Sequence, residues 1–249
     1  MTDKDFTELA AEAGCVLGEK ETVCFNKYYE MLIEKNKLMN LTAITDYDDV
    51  LVKHFVDSLL IYKTTDKLDI LNNDESIDFN RVKLIDVGTG AGFPGIPLKI
   101  CNPDMTVHLL DSLNKRIGFL NEVIDALDLK NTDAIHGRSE DFGRDKEFRE
   151  QYDIAVSRAV ADLSVLSEYC IPFVKVGGYF VSYKGDNASE EIKTAEKAVK
   201  LLGGEVSDIL KVPLPGADAV RTFVMIKKVR STPGKYPRKA GTPAKTPLR

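Results

Sequence analysis

The chain has 249 residues, with 34 Lys and Arg against 39 Asp and Glu and a net charge of −5. Hydrophobic residues make up 43% and charged ones 29%, with 17 Gly and 10 Pro, which excludes a low-complexity chain and fits a core buried without staples. No apolar run reaches the roughly 20 residues that cross a bilayer, Met1 to Glu8 is acidic and carries no export or transit pattern, and the four Cys lack paired spacing, so a cytoplasmic protein without a metal cluster is expected.

Residues 3–62 read as about three helices. Phe25, Tyr28, Tyr29, Leu32 and Ile33 form one apolar stripe on a helix expected to end near Asn36. Asp46 looks like an N-cap, and Leu51, Phe55, Leu59 and Tyr62 continue a second stripe. Periodicity is lost from Thr64 to Asn80, where Asp and Asn accumulate, so residues 64–80 read as a linker after a helical leader of residues 1–63.

From Arg81 the pattern alternates between strand and helix. Strands are expected at 82–87, 106–111, 134–136, 152–157, 178–183, 205–212 and 221–227, and helices at 96–102, 113–129, 163–172 and 189–202. Such alternation requires right-handed crossovers and a mostly parallel sheet covered on both faces, which the last two strands close with an antiparallel edge. The fold class is therefore α/β: an open, doubly wound, Rossmann-like sheet of about seven strands over residues 81–229, preceded by the helical leader. Residues 227–249 hold eight Lys and Arg and no acid, which leaves −13 for the rest of the chain. Proline and glycine recur from Pro233 to Pro247, so residues 230–249 read as an extended, mobile basic tail, either a solubilising terminus or an arm for a polyanion.

Ligands of such sheets bind beyond the carboxyl ends of the strands, at the switch point. The first strand ends in Asp86-Val-Gly-Thr-Gly-Ala-Gly-Phe-Pro-Gly95. Gly90, Gly92 and Gly95 match the dinucleotide pattern, and Asp111 ends the next strand, which raises the alternative of a nicotinamide-dependent oxidoreductase. A diphosphate, however, needs free N–H groups at the helix start, and here Pro94 and Pro97 cannot donate. The loop suits a nucleoside without phosphates, its ribose held by Asp111 and its end an amino acid; S-adenosylmethionine has that shape. Asp86 either caps the turn or borders the ligand, Ser139 and Glu140 follow the third strand where adenine would lie, and Arg158 ends the fourth strand facing the crevice.

The stretch Leu84 to Leu98, then Leu109-Leu-Asp-Ser-Leu-Asn-Lys-Arg116, then Ser157-Arg-Ala-Val160, closely resembles the bacterial glucose-inhibited division protein B family. The resemblance extends to Met39-Asn-Leu-Thr-Ala43 and His54-Phe-Val-Asp-Ser-Leu59 in the leader and to the tail. It implies a class I S-adenosylmethionine-dependent methyltransferase that modifies the N7 of one guanine in 16S ribosomal RNA of the small subunit. It also implies cofactor contacts at Gly88, Phe93, Ser139, Glu140 and Arg158, which Asp86, Gly90, Gly92 and Asp111 would complete. Guanine N7 has a lone pair and no proton, so such a transfer requires no acid–base residue and no metal, and His54, His108 and His136 are not needed for it. Lys115, Arg116, Lys184 and Arg221 are candidate RNA contacts beside the crevice, with Arg138 and the tail near them. A monomer that acts on 16S ribosomal RNA or the small subunit, with no membrane partner, is expected. A non-catalytic ribosome-assembly factor of the same fold is the remaining alternative.

Overall fold

The computed structural model describes residues 1–69, 77–186 and 188–248. Seven strands, β1 (Lys83–Val87), β2 (Thr106–Asp111), β3 (Thr132–His136), β4 (Tyr152–Arg158), β5 (Val174–Lys184), β6 (Gly204–Pro213) and β7 (Val220–Lys228), form one sheet in the order β3-β2-β1-β4-β5-β7-β6. The first five are parallel, and β7 runs antiparallel between β5 and β6. Strand order reverses between β1 and β4, so the chain leaves these two strands toward opposite faces and a crevice opens above their carboxyl ends.

The leader consists of α1 (Asp3–Glu12), α2 (Glu19–Met39) and a third helix in segments. Asp46 caps the last of these by accepting the Asp49 N–H at 3.2 Å, as its position before an apolar stripe implies. The helix then runs through α3 (Tyr47–Val50), a π-helical stretch Leu51–Val56, α4 (Asp57–Leu59) and a 3-10 segment Leu60–Lys67. α2 continues three residues beyond the expected end, because Asn40, an amino acid that tolerates the left-handed conformation, closes it at φ 49°. Five further helices, α5 (Gly95–Cys101), α6 (Asn114–Ala126), α7 (Ser139–Phe142), α8 (Leu163–Cys170) and α9 (Ser189–Leu201), follow strands, and α10 (Thr242–Lys245) lies in the tail.

The two faces of the sheet build two layers of core. Successive side chains of a strand point to opposite faces. Leu84 accordingly packs with Val107, Ile96, Phe119 and the leader's Phe25, Tyr28 and Phe55, while Ile85 packs with Leu110, Leu166, Phe180 and Val199. Phe25 and Phe55 lie 5.0 Å apart, Tyr28 and Phe55 5.4 Å, and Tyr28 and Phe93 5.5 Å, so an aromatic chain runs from the leader into the loop after β1. The leader thus shares its core with the sheet.

Two expectations need revision. Within 64–80, residues 70–76 lie outside the described residues, but Leu68, Ile77 and Phe79 are buried against the core, so the ends of this stretch are packed. The tail is docked, contrary to the mobile arm expected from its prolines. Arg238 makes a two-pronged pair with buried Glu168, and Arg149 donates to the carbonyls of Thr232 and Tyr236 at 2.6 and 2.8 Å. Proline prevents regular structure without preventing docking, since its carbonyl still accepts and its ring still packs.

Candidate active site

The loop after β1 is shaped by Asp86. Its Oδ2 accepts the Thr89 hydroxyl at 2.7 Å and the Gly95 N–H at 2.8 Å, which pulls the start of α5 back over the strand end. The carboxyl is fully buried, Oδ1 finds no partner, and burial pushes the pKa up to about 6. Asp86 therefore holds the turn and does not face the crevice. At the start of α5 the Gly95 N–H goes to Asp86, the Ile96 N–H goes to Gly92 O at 2.8 Å, and Pro94 and Pro97 have none, so no donor is left there for a diphosphate.

Above this turn lies a cleft of about 530 Å³, lined by Gly88, Gly90, Phe93, Asp111 and Arg158 from the core and by Thr42, Lys53, His54 and Asp57 from the leader. A smaller cavity of about 120 Å³ adjoins it, sharing Gly88, Asp111, Ser112 and Val160 and reaching Ser139, Glu140 and Tyr169. The combined space falls within the usual range for a cofactor-sized ligand. Gly90 has φ 64°, and a Cβ there would meet no protein atom, so the missing side chain leaves open cleft beside the backbone. Gly92 lies behind the wall instead, where a Cβ would come 2.6 Å from the Tyr28 hydroxyl.

Asp111 is only 3% exposed at the end of β2. It accepts from Gly90 N–H at 3.0 Å and Arg116 Nη1 at 3.0 Å through Oδ2, and from Leu113 N–H at 2.9 Å through Oδ1. A carboxylate has about four acceptor positions, so one remains for a ligand hydroxyl. The ribose role expected for it thus needs only part of its capacity. Ser139 and Glu140 open α7 and border the smaller cavity, with Glu140 buried at 3% exposure.

Sequence reasoning found no need for His54 and did not single out Asp57, and both line the cleft. The His54 ring stacks on Phe93 with centroids 4.5 Å apart at 14°, and its Nε2 lies 2.8 Å from the Thr42 hydroxyl. Burial, then the charge of Arg158, pulls its pKa down to about 4, so the ring is neutral at neutral pH. Asp57, 1% exposed, accepts Arg158 Nη1 and Arg221 Nε at 2.6 Å each. Arg158 also lies 5.2 Å from the Phe93 ring centroid and donates to the His54 carbonyl at 3.3 Å. The shared motif His54 to Leu59 was the signal that marked these residues, although no period or spacing assigned them roles.

The four RNA candidates separate. Lys115 is exposed, with Nζ 3.5 Å from Met39 O, and Arg116 lines the cleft. Arg221 lines it too but is paired with Asp57. Lys184 is drawn inward, donating to Ala161 O at 2.7 Å and pairing with Glu191 at 2.6 Å, so it offers no free charge to a polyanion.

Residues 22–216 match the family model described as rRNA small subunit methyltransferase G. The chain belongs to that family. Among its relatives, the ribosomal RNA small subunit methyltransferase G of Desulforamulus reducens is 52% identical over all of both chains. The protein of the same name from Clostridium tetani is 50% identical, over 96% of this chain and 95% of its own. Two solved structures share the fold at low identity. A mutant of MtNAS in complex with S-adenosylmethionine aligns with TM-score 0.52 and 14% identity over 84% of this chain and 76% of its own. M. jannaschii TYW2 in complex with AdoMet gives 0.50 and 15% over 67% and 75%. The fold is that of the class I methyltransferases.

Proposed function

We propose that this chain methylates the N7 of a guanine in 16S ribosomal RNA of the small subunit, using S-adenosylmethionine, as a monomer in the cytoplasm. The observation that carries the reading is the cleft above β1, β2 and β4, where a bare glycine backbone and a strand-end carboxylate meet a helix start with no donor for phosphate. The residues present fit S-adenosylmethionine. Ser139 and Glu140 would border its adenine, Asp111 would take a ribose hydroxyl, and Gly88, Gly90 and Phe93 would flank the amino-acid end, with Asp86 and Gly92 shaping the loop from behind.

Once bound, the cofactor supplies a methyl group on a cationic sulfonium. The chain has to orient a guanine against it, and alignment alone is worth effective molarities of about 10⁵ to 10⁸ M. N7 has no proton to remove, so no side chain has to act as a base. His54 is neutral and stacked, which suits a positioning surface. Arg158, held by Asp57 beside Phe93 inside the cleft, would border the cofactor, and Arg221, held by the same carboxylate, keeps a cation on the cleft wall where RNA phosphates approach.

The test is methyl transfer to small subunits from cells lacking the enzyme, read as N7-methylguanine by mass spectrometry. Gly88, with φ 75°, borders both cavities. Gly88→Asp should abolish both transfer and S-adenosylhomocysteine binding while the circular dichroism stays native. Wild-type affinity in that variant, or saturable binding of NADH by the wild type in the same cleft, would refute the reading.

A further inference from the structure

The docked tail touches the wall of the smaller cavity. Glu140 borders that cavity, and its Oε1 accepts the Gly241 N–H at 2.8 Å across 101 residues of sequence. Among the described residues, the one side-chain partner of this buried carboxylate is the hydroxyl of its neighbour Ser139, at 3.3 Å. The segment that follows is tied to the tail again and again. Arg144 Nε donates to Pro237 O at 2.7 Å, Arg149 donates to Thr232 O and Tyr236 O, and Glu150 accepts the Thr232 N–H at 2.7 Å. On the far side, Arg238 grips Glu168 of α8, the helix that also carries Tyr169 into the cavity. The tail therefore joins α7 to α8, the two elements that carry Glu140 and Tyr169 into the cavity.

We propose that residues 230–248 form a strap that positions Glu140 for the nucleoside end of the cofactor, so that the tail acts on cofactor affinity rather than on RNA binding. The proposal rests on the cofactor placement given above. α7 has four residues, too short to hold its own geometry by helical cooperativity, so an external partner has to fix it. The Gly241 amide supplies one charge-assisted hydrogen bond at the carboxylate itself, and the Arg238 pair anchors the strap where a second acid is buried. Gly241 and Arg238 are positioning residues, since neither borders the cavity.

Gly241→Pro removes the donor and forbids the observed φ of 80°, while leaving Arg238 and the sheet untouched. It should weaken S-adenosylhomocysteine binding about tenfold by calorimetry, the size expected for one hydrogen bond to a charged acceptor. KM for S-adenosylmethionine should rise by the same factor, with kcat at saturation and KM for the small subunit unchanged. Arg238→Met should do the same with a larger loss, and Gly241→Pro stands alone if that variant fails to fold. Wild-type cofactor affinity in Gly241→Pro overturns the strap, as does a loss confined to RNA affinity. If the wild type itself binds no S-adenosylhomocysteine, the methyltransferase reading falls and the strap falls with it; the two failures differ because in the second all three chains behave alike.

Discussion

Asp86 shows how one carboxyl can look like a ligand residue and act as a fastener. Burial leaves its Oδ1 without a partner, so the proton is retained up to about pH 6 in the folded chain, against an ordinary value of 3.8. A raised folded pKa means that the unfolded chain releases this proton first as pH rises. Stability contributed by the residue is thus greatest at low pH and is lost between about pH 4 and 6. Asp86→Asn keeps an acceptor for Thr89 and Gly95 and carries no charge to bury. Urea unfolding should find the variant equal to wild type near pH 4 and more stable near pH 7, by at most about 3 kcal/mol. A difference that does not change with pH would show that folding leaves the pKa of this carboxyl unshifted. Legibility at this scale followed chain proximity. The turn-capping role of Asp86 was readable as one of two options because Thr89 and Gly95 are close in sequence. The Asp57 pairs were not, because Arg158 and Arg221 lie 101 and 164 residues away.

At the scale of elements, periodicity found every strand and nearly every helix because each has a face against one of two core layers. β2 spans Thr106–Asp111 as expected, and α9 differs by one residue at its end. α7 escaped notice since four residues carry no period, and β5 begins four residues early because Val174 pairs with Tyr152 before a register shift. The π-helical stretch Leu51–Val56 was also invisible, as its sequence reads like any apolar helix. Its wide turn leaves the His54 carbonyl able to accept from Arg158 as well as from Ser58 Oγ, at 3.3 and 2.5 Å, and such turns often mark functional positions. Asp57, just after it, joins the leader to β4 and β7. Removing it would strand two cations in a partly buried joint, and breaking a buried pair costs about 3–5 kcal/mol. Asp57→Ala should lower the urea midpoint accordingly and weaken cofactor binding, since Arg158 then loses its orientation beside Phe93. A stability loss below about 1 kcal/mol would place the pair among exposed, weakly coupled ones.

For the whole molecule, charge summed along the sequence misjudges where charge is available. Of the eight tail cations, Lys227 pairs with Asp69 at 2.7 Å, Lys228 is buried near Glu150, where desolvation pulls its pKa down to about 8, and Arg238 is spent on Glu168. Tail deletion is therefore a poor test of RNA contact, because it also removes the strap. Single cations at the cleft mouth test it cleanly. Lys115 stands exposed next in sequence to Arg116, which lines the cleft, whereas Lys184 is folded back onto Glu191. If phosphates track the mouth, Lys115→Gln should reduce the slope of log affinity against log salt by about 0.7 for a single-stranded contact, and Lys184→Gln should leave it unchanged. Both slopes come from filter binding of a 16S fragment across a salt series. Equal reductions would mean that RNA pulls Lys184 out of its pair, and the reverse order would move the RNA path from the α6 side of the cleft to the carboxyl end of β5.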